Sequence, residues 1–424
     1  TRPRAERSNA LDPLFRRVLD VGLSADSRLA SAADNAFDWL FLRETLVQSG
    51  LTSHEVILEA DPMSLRYYPP PAEQFIELAD NERVRVEHQR HPVPLVLVPP
   101  LGVTTESFDL MPHRSLVRYM AARGFHVYLI DWGKPQRRHA QLGMQDYAQH
   151  MMSDALAEVR RHSGSEDVTL MGWCMGGLLS LVYMGLTQDQ HIRNLITIAS
   201  PINMRGGGIV AKAATAMNAP AQLVRKFSGW RLHNLNPKRL HSPGWMTTLG
   251  FKLTDPIGSV TTYWDLLTKL WDRDFVESHS TTADYLNNML DYPGGVIQDM
   301  MVKMAIDNQM ATGRIEIRDA VADLTTITAN LLVFAGKTDV LVPEGIASRI
   351  IELVASTDKQ FHVAPGGHMG VILGSKAVKS VWEPTGQWLS SRAQLSADGR
   401  QYSSTADMTA RQARQRRIAE DPTL

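Results

Sequence analysis

Cys174 sits in the middle of VTLMGWCMGGLLS (168–180) and is the only cysteine in 424 residues. Gly172 lies two residues before it, and Gly176 and Gly177 follow two and three residues after it. Val168 to Met171 is a short apolar run of strand type, and LLSLVYMGL from Leu178 onward reads as a buried helix. A strand, a tight turn and a helix with one reactive side chain at the apex is the geometry of a nucleophile elbow. The turn is strained, and a side chain at 172 or 176 would crowd the strand against the helix. The usual apex residue is serine; this chain carries a thiol.

A thiol at such a turn needs a base to become thiolate, and the base needs an orienting acid. Two candidates follow downstream in the order nucleophile, acid, base. FAGKTDVLVP puts Asp339 just past one strand-like run, and FHVAPGGHMG puts His368 just past the next. They are 29 residues apart, room for one helix and one strand. Both sit in turn-rich loops, where catalytic groups concentrate. Each has a plainer reading: Cys174 as a small core hydrophobe, Asp339 as a turn former, His368 as one structural histidine among 14. His362, inside the strand run, reads as structural. The three residues in this order support one another. An oxyanion hole asks for two backbone N–H groups. Met175, at the start of the elbow helix, is expected to give one, and Val103, in the loop VPPLGVTTE, the other.

Sulfur has a chemical rationale. Serine attacking an activated acyl donor makes an oxyester, which lies well below a thioester in free energy. Cysteine attacking an acyl thioester makes another thioester, so the acyl group stays activated and transfer to a hydroxyl runs downhill. The pattern suits an acyltransferase that takes acyl groups from a thiol carrier, with water kept out.

These residues need a sheet whose strand ends converge on one edge. The chain supplies one. PLVLVPP (94–100), HVYLIDW (126–132), VTLMG (168–172), LITIASP (195–201), NLLVFAG (330–336) and KQFHVAP (359–365) read as strands. Helical patterns at 115–124, 144–164, 178–186, 344–354 and 376–391 alternate with them. The expected class is α/β, a doubly wound, mostly parallel sheet. Residues 1–65 are expected to be a helical region, carried by DPLFRRVLDVGL and NAFDWLFLRETLVQSGL. FIELADNERVRVEHQR reads as a hairpin around Asp80-Asn81. The core spans 66–201 and 329–392, and 202–328, rich in Met and Trp, is an expected cap over the C-terminal edge of the sheet. Residues 393–424 form a polar tail low in aromatics.

Composition narrows the classes. Hydrophobic residues are 44% and charged residues 21%, with a net charge of −1, so nothing points to nucleic acid. One cysteine forbids an internal disulfide and fits a reducing cytoplasm. No apolar run reaches the ~18–20 residues needed to span a bilayer. TRPRAERSNALDPL has no apolar stretch of the secretory kind and no initiator Met, so a start upstream is the expectation.

Taken together, the motifs resemble the polyhydroxyalkanoate (PHA) synthases, cysteine enzymes of the α/β-hydrolase fold. Gly172, Cys174, Gly176 and Gly177 match that family's Gly-x-Cys-x-Gly-Gly box. VPPLGVTTESFDLMPHRSLVRYMAARGFHVYLIDWGKP (98–135), LITIASPI (195–202), GKTDVLVP around Asp339 and GGHMGVILGSKA around His368 resemble its other segments. The likeness runs from about residue 60 to 392. It implies Cys174 as the nucleophile carrying the growing chain, His368 as its base, and Asp339 as the residue that orients His368 or helps activate the 3-hydroxyl of the incoming unit. It implies (R)-3-hydroxyacyl-CoA substrates, polyester and CoA as products, and no metal or bound cofactor. It further implies a homodimer and a place in the cytoplasm at the polymer granule surface. Where the family often has His after the acid, this chain has Val340. The short N-terminal region and Asp131-Trp132 lean toward the short synthases, which work with a second synthase subunit. The rival readings are a thioesterase, esterase or PHA depolymerase of the same fold, and a non-catalytic granule scaffold.

Overall fold

A computed structural model describes residues 28–79, 82–228, 232–254, 265–318 and 320–393. The polar tail beyond 393, the segment DPLFRRVLDVGL and the hairpin turn at Asp80-Asn81 lie outside the described residues.

The chain divides into two compact units, one of Thr1–Ser49 with Thr248–Asn287, the other of Gly50–Thr247 with Asn288–Leu424. In the smaller unit, residues 28–41 are helical. Leu46, Leu266 and Val276 form its own apolar cluster, with Trp39, Leu270 and Phe275 packed around it. Part of the expected cap therefore groups with the N-terminal helix, because these side chains share a separate core.

The larger unit is built on an eight-stranded sheet: β1 Glu55–Ala60, β2 Met63–Tyr68, β3 Leu95–Val98, β4 Val127–Asp131, β5 Val168–Trp173, β6 Ile192–Ile198, β7 Asn330–Gly336 and β8 Lys359–Ala364. The spatial order is β1-β2-β4-β3-β5-β6-β7-β8. The six strands from β3 to β8 run parallel, and β2 joins β4 antiparallel. Every residue of β3 and β5 is buried, as expected for strands covered on both faces. The α/β expectation holds.

Two further expectations need correction. Residues 55–65, placed in a helical region 1–65, belong to strands β1 and β2, which run to Tyr68 and pair antiparallel across Asp61-Pro62. Val56, Ile57, Tyr67 and Tyr68 are β-branched or aromatic and favour the pleated surface, and the helical spacing ends before Gly50. Within the expected cap, Arg314–Ile317 and Ala320–Asp323 form an antiparallel ribbon. It packs on the elbow helix: Ile315, Ile317 and Ala322 belong to the main core, and the backbone at Asp323 closes on Gly185. The alternation of RIEI fits period 2 and buries one face of the ribbon.

The expected hairpin is present, with Phe75–Glu77 paired to Arg83–Arg85. Helices α1 (Leu116–Ala122), α2 (Met152–Ser163) and α3 (Met175–Thr187) follow β3, β4 and β5. Ser115 caps α1 by accepting from the Arg118 N–H, and Gly164 closes α2 in the left-handed conformation.

Candidate active site

Cys174 is the single residue between β5 and α3 and is half-buried. Its backbone has φ 52° and ψ −119°, a region that L-residues seldom occupy. The Cys174 N–H donates to the Ile198 carbonyl of β6 at 2.8 Å, and its own carbonyl starts the helix at Leu178. The glycines around it are steric requirements. A Cβ on Gly172 would stand 2.4 Å from the Gly177 nitrogen. One on Gly176 would stand 1.9 Å from the Val98 carbonyl oxygen, and one on Gly177 2.1 Å from Ser200 Oγ. The box lets the elbow press against β3 on one side and the end of β6 on the other.

Asp339 follows β7 by three residues and His368 follows β8 by four, so both reach the edge where Cys174 stands. Their loops interlock. Thr338 N–H donates to the Gly366 carbonyl at 3.1 Å, and a Cβ on Gly336 would meet that same oxygen at 2.8 Å. His368 Nδ1 lies 2.8 Å from Asp339 Oδ2, with both side chains buried. Asp339 Oδ1 accepts from the N–H groups of Leu341 and Val342 at 2.9 and 2.8 Å, which fixes the carboxylate. The Trp173 ring packs beside the imidazole, centroid to centroid 5.5 Å.

Burial works against a charged His368. The negative charge of a Cys174 thiolate, with hydrogen bonds to Asp339 and Cys174, outweighs that and carries the imidazole up to about 10. His362 lies exposed on β8, stacked on Phe334.

The loop after β3 carries Val103, and the helix start carries Met175; both residues are buried. Neither N–H is taken by a protein acceptor among the described residues. Trp132 Nε1 holds the loop at the Pro99 carbonyl, 2.8 Å away. One neighbour was missed by sequence reasoning. Tyr292 lays its ring against Gly102 and donates its hydroxyl to the Leu101 carbonyl at 2.5 Å. Burial and the charge of Cys174 push its phenol well above the ordinary range. The only local signal was the turn-like DYPGG, which says nothing of where the tyrosine packs.

A family model described as the alpha/beta hydrolase fold matches residues 94–375. Among curated proteins, the chain is 26% identical over 393 residues to the poly(3-hydroxyalkanoate) polymerase subunit PhaC of Haloferax mediterranei, covering 92% of this chain and 73% of that one. It is 26% identical to the protein of the same name from Allochromatium vinosum, over 80% of this chain and 93% of that one. With the corresponding Thiocystis violacea protein it shares 24% identity, over 90% and 98% of the two chains. The chain belongs to the alpha/beta-hydrolase fold family, and its curated relatives over most of its length support its placement among the acyltransferase-type polyhydroxyalkanoate synthases.

Proposed function

We propose that this protein polymerises (R)-3-hydroxyacyl groups from CoA thioesters through a thioester on Cys174. The observation that carries the reading is a thiol, in place of a hydroxyl, at a strained elbow facing a buried His368–Asp339 pair. The Cys174 thiolate attacks the acyl carbonyl, and the C–S bond to CoA breaks. The departing CoA sulfur takes the proton held by His368. The acyl group, now on Cys174, keeps its thioester activation. The 3-hydroxyl of a second hydroxyacyl thioester then attacks it, giving its proton to His368 and releasing Cys174 as the C–S bond breaks. The lengthened chain, still a CoA thioester, acylates Cys174 again, and each added unit liberates one CoA.

Asp339, with both oxygens occupied, orients His368 and stabilises its cation in this scheme. The N–H groups of Met175 and Val103 receive the developing oxyanion. The likeness to the synthases, and not the chemistry, adds a homodimer and work at a polymer granule surface to the proposal, and the short-type features add a second synthase subunit as a candidate partner. Among the described residues no helix is long and apolar enough to cross a membrane.

The test is CoA release from (R)-3-hydroxybutyryl-CoA and a longer-chain homologue, with the acyl product analysed and Cys174→Ala as control. Polymer with CoA, lost in the variant, upholds the reading. CoA with free 3-hydroxy acid alone replaces it with a thioesterase.

A further inference from the structure

The loop expected to bind the oxyanion is Leu101-Gly102-Val103, and two of its carbonyls are held by one segment of the cap. The Gly102 carbonyl accepts from the Leu290 N–H at 2.8 Å. The Leu101 carbonyl accepts from the Tyr292 hydroxyl at 2.5 Å. A peptide unit is planar and trans, so fixing a C=O fixes the N–H on its far side. Leu290 therefore sets the direction of the Val103 N–H, and Tyr292 that of the Gly102 N–H. Gly102 itself has φ +81° and no room for a side chain, since a Cβ would stand 2.1 Å from the Tyr292 ring. Loop and ring are fitted to each other.

The holding segment is rigid in its own right. Tyr292 exchanges backbone hydrogen bonds with Ser242 at 2.8 and 3.0 Å. Asp291 accepts from the Gly244 N–H at 2.7 Å and pairs with His241 at 3.0 Å. Gly294 and Gly295 close on the Pro237 and Leu142 carbonyls, where a Cβ would stand 1.8 and 2.5 Å away. Clamps on adjacent peptides, made by residues two apart in a braced segment, are a preorganising device.

We propose that Tyr292 is a positioning residue for the oxyanion hole: through its hydroxyl on Leu101 and its ring on Gly102, it holds the peptide before Val103 in place beside the Leu290 clamp, so that the Val103 N–H is presented to acyl transfer at Cys174. This rests on the reading of Cys174 as an acyl-accepting nucleophile. It does not depend on which thioester is the natural donor. Tyr292 does not touch the reacting atoms in this scheme; it acts through the loop.

The test compares two reactions of Cys174 in the full chain. Acylation by p-nitrophenyl acetate passes through an oxyanion, whereas alkylation by iodoacetamide does not. Tyr292→Phe removes only the hydroxyl. Losing a direct oxyanion donor costs on the order of 100-fold or more, so a misaligned one is expected to cost about 10-fold in acylation. Alkylation should stay within about two-fold, because the His368–Asp339 pair is untouched. Gly102→Ala, which drives the ring off from the other side, should show the same split, with thermal unfolding recorded for both variants. Equal rates in Tyr292→Phe and the parent protein overturn the proposal. So does a parallel fall in both reactions, which would mean that Tyr292 acts on the thiolate. A parent protein that alkylates but never acylates overturns it too, because the loop then holds no oxyanion. If the ester split appears while (R)-3-hydroxyacyl-CoA yields no CoA, the donor assignment fails and the role of Tyr292 stands.

Discussion

His368 Nδ1 lies 2.8 Å from Asp339 Oδ2, and the other oxygen of that carboxylate is filled by the N–H groups of Leu341 and Val342. The carboxylate is thereby fixed in place and faces the imidazole with one oxygen. The Nδ1–H donates to it, which leaves Nε2 as the ring nitrogen free for proton exchange with Cys174.

Asp339→Asn keeps the shape but removes the charge and invites the wrong imidazole tautomer. Acyl transfer is expected to fall about 10³- to 10⁴-fold with little change in KM. Steady-state CoA release checks this. A loss under ten-fold would show that the carboxylate is not part of the relay.

The elbow strain at Cys174 is separable from its chemistry. Alanine keeps the Cβ that makes φ 52° costly, whereas glycine removes it. The strain is worth about 1–3 kcal/mol, less up to about 1 kcal/mol for the extra chain entropy of glycine. Cys174→Gly is therefore expected to be more stable than Cys174→Ala by about 1 kcal/mol, read by denaturant unfolding. Both lose all acyl transfer. A glycine variant less stable than the alanine one would contradict the strain argument.

Gly177→Ala drives a methyl to within 2.1 Å of Ser200 Oγ, at a junction that is backbone on its other sides. The expected loss is about 3 kcal/mol, the upper part of the overpacking range. Ser200→Gly, which removes both close side-chain atoms, should restore more than half of it. Thermal unfolding of the two single variants and the double variant gives the coupling, and additive losses would exclude this contact as the cause.

The imidazole of His368 is raised above its ordinary value of 6.5, to about 10. A raised value means that the folded state holds the proton more tightly than the unfolded chain does. The stabilisation is complete below the ordinary value and drains away as pH rises toward the folded one. The melting-temperature advantage of the parent protein over His368→Gln should shrink steadily from about pH 6 to about pH 10. An advantage that grew with pH would reverse the assignment.

Much of this site could be read in order along the chain. Gly-x-Cys-x-Gly-Gly between a strand-type run and a buried helix states a local turn, because the residues that make the turn are consecutive, while the groups that press on it at Val98, Ile198 and Ser200 come from other strands. Asp339 and His368 follow strand-like runs in turn-rich loops, and parallel strands bring such loops to one edge whatever their separation in sequence. The parallel core was legible for the same reason: near-continuous apolar runs leave a strand little choice but burial on both faces. Strands β1 and β2 were not, since six-residue segments beside helical spacing carry no period long enough to decide, and the pairing of β2 with β4 and of β1 with β2 settles their state.

What the sequence by itself determined is the inventory of reactive groups and the short-range steric rules that shape the elbow. The tertiary structure decided which distant groups meet. Nothing local in DYPGG directs a tyrosine to Gly102, 190 residues away in the chain. That contact exists because Ser242, Gly244 and Pro237 brace the segment, and because Gly102 leaves a space that only a ring fills. The split of 202–328 among the small unit, the elbow-helix ribbon and the segment over the loop has the same origin. Apolar side chains pack wherever their partners accumulate, and that is a property of the assembled core, not of any stretch of chain.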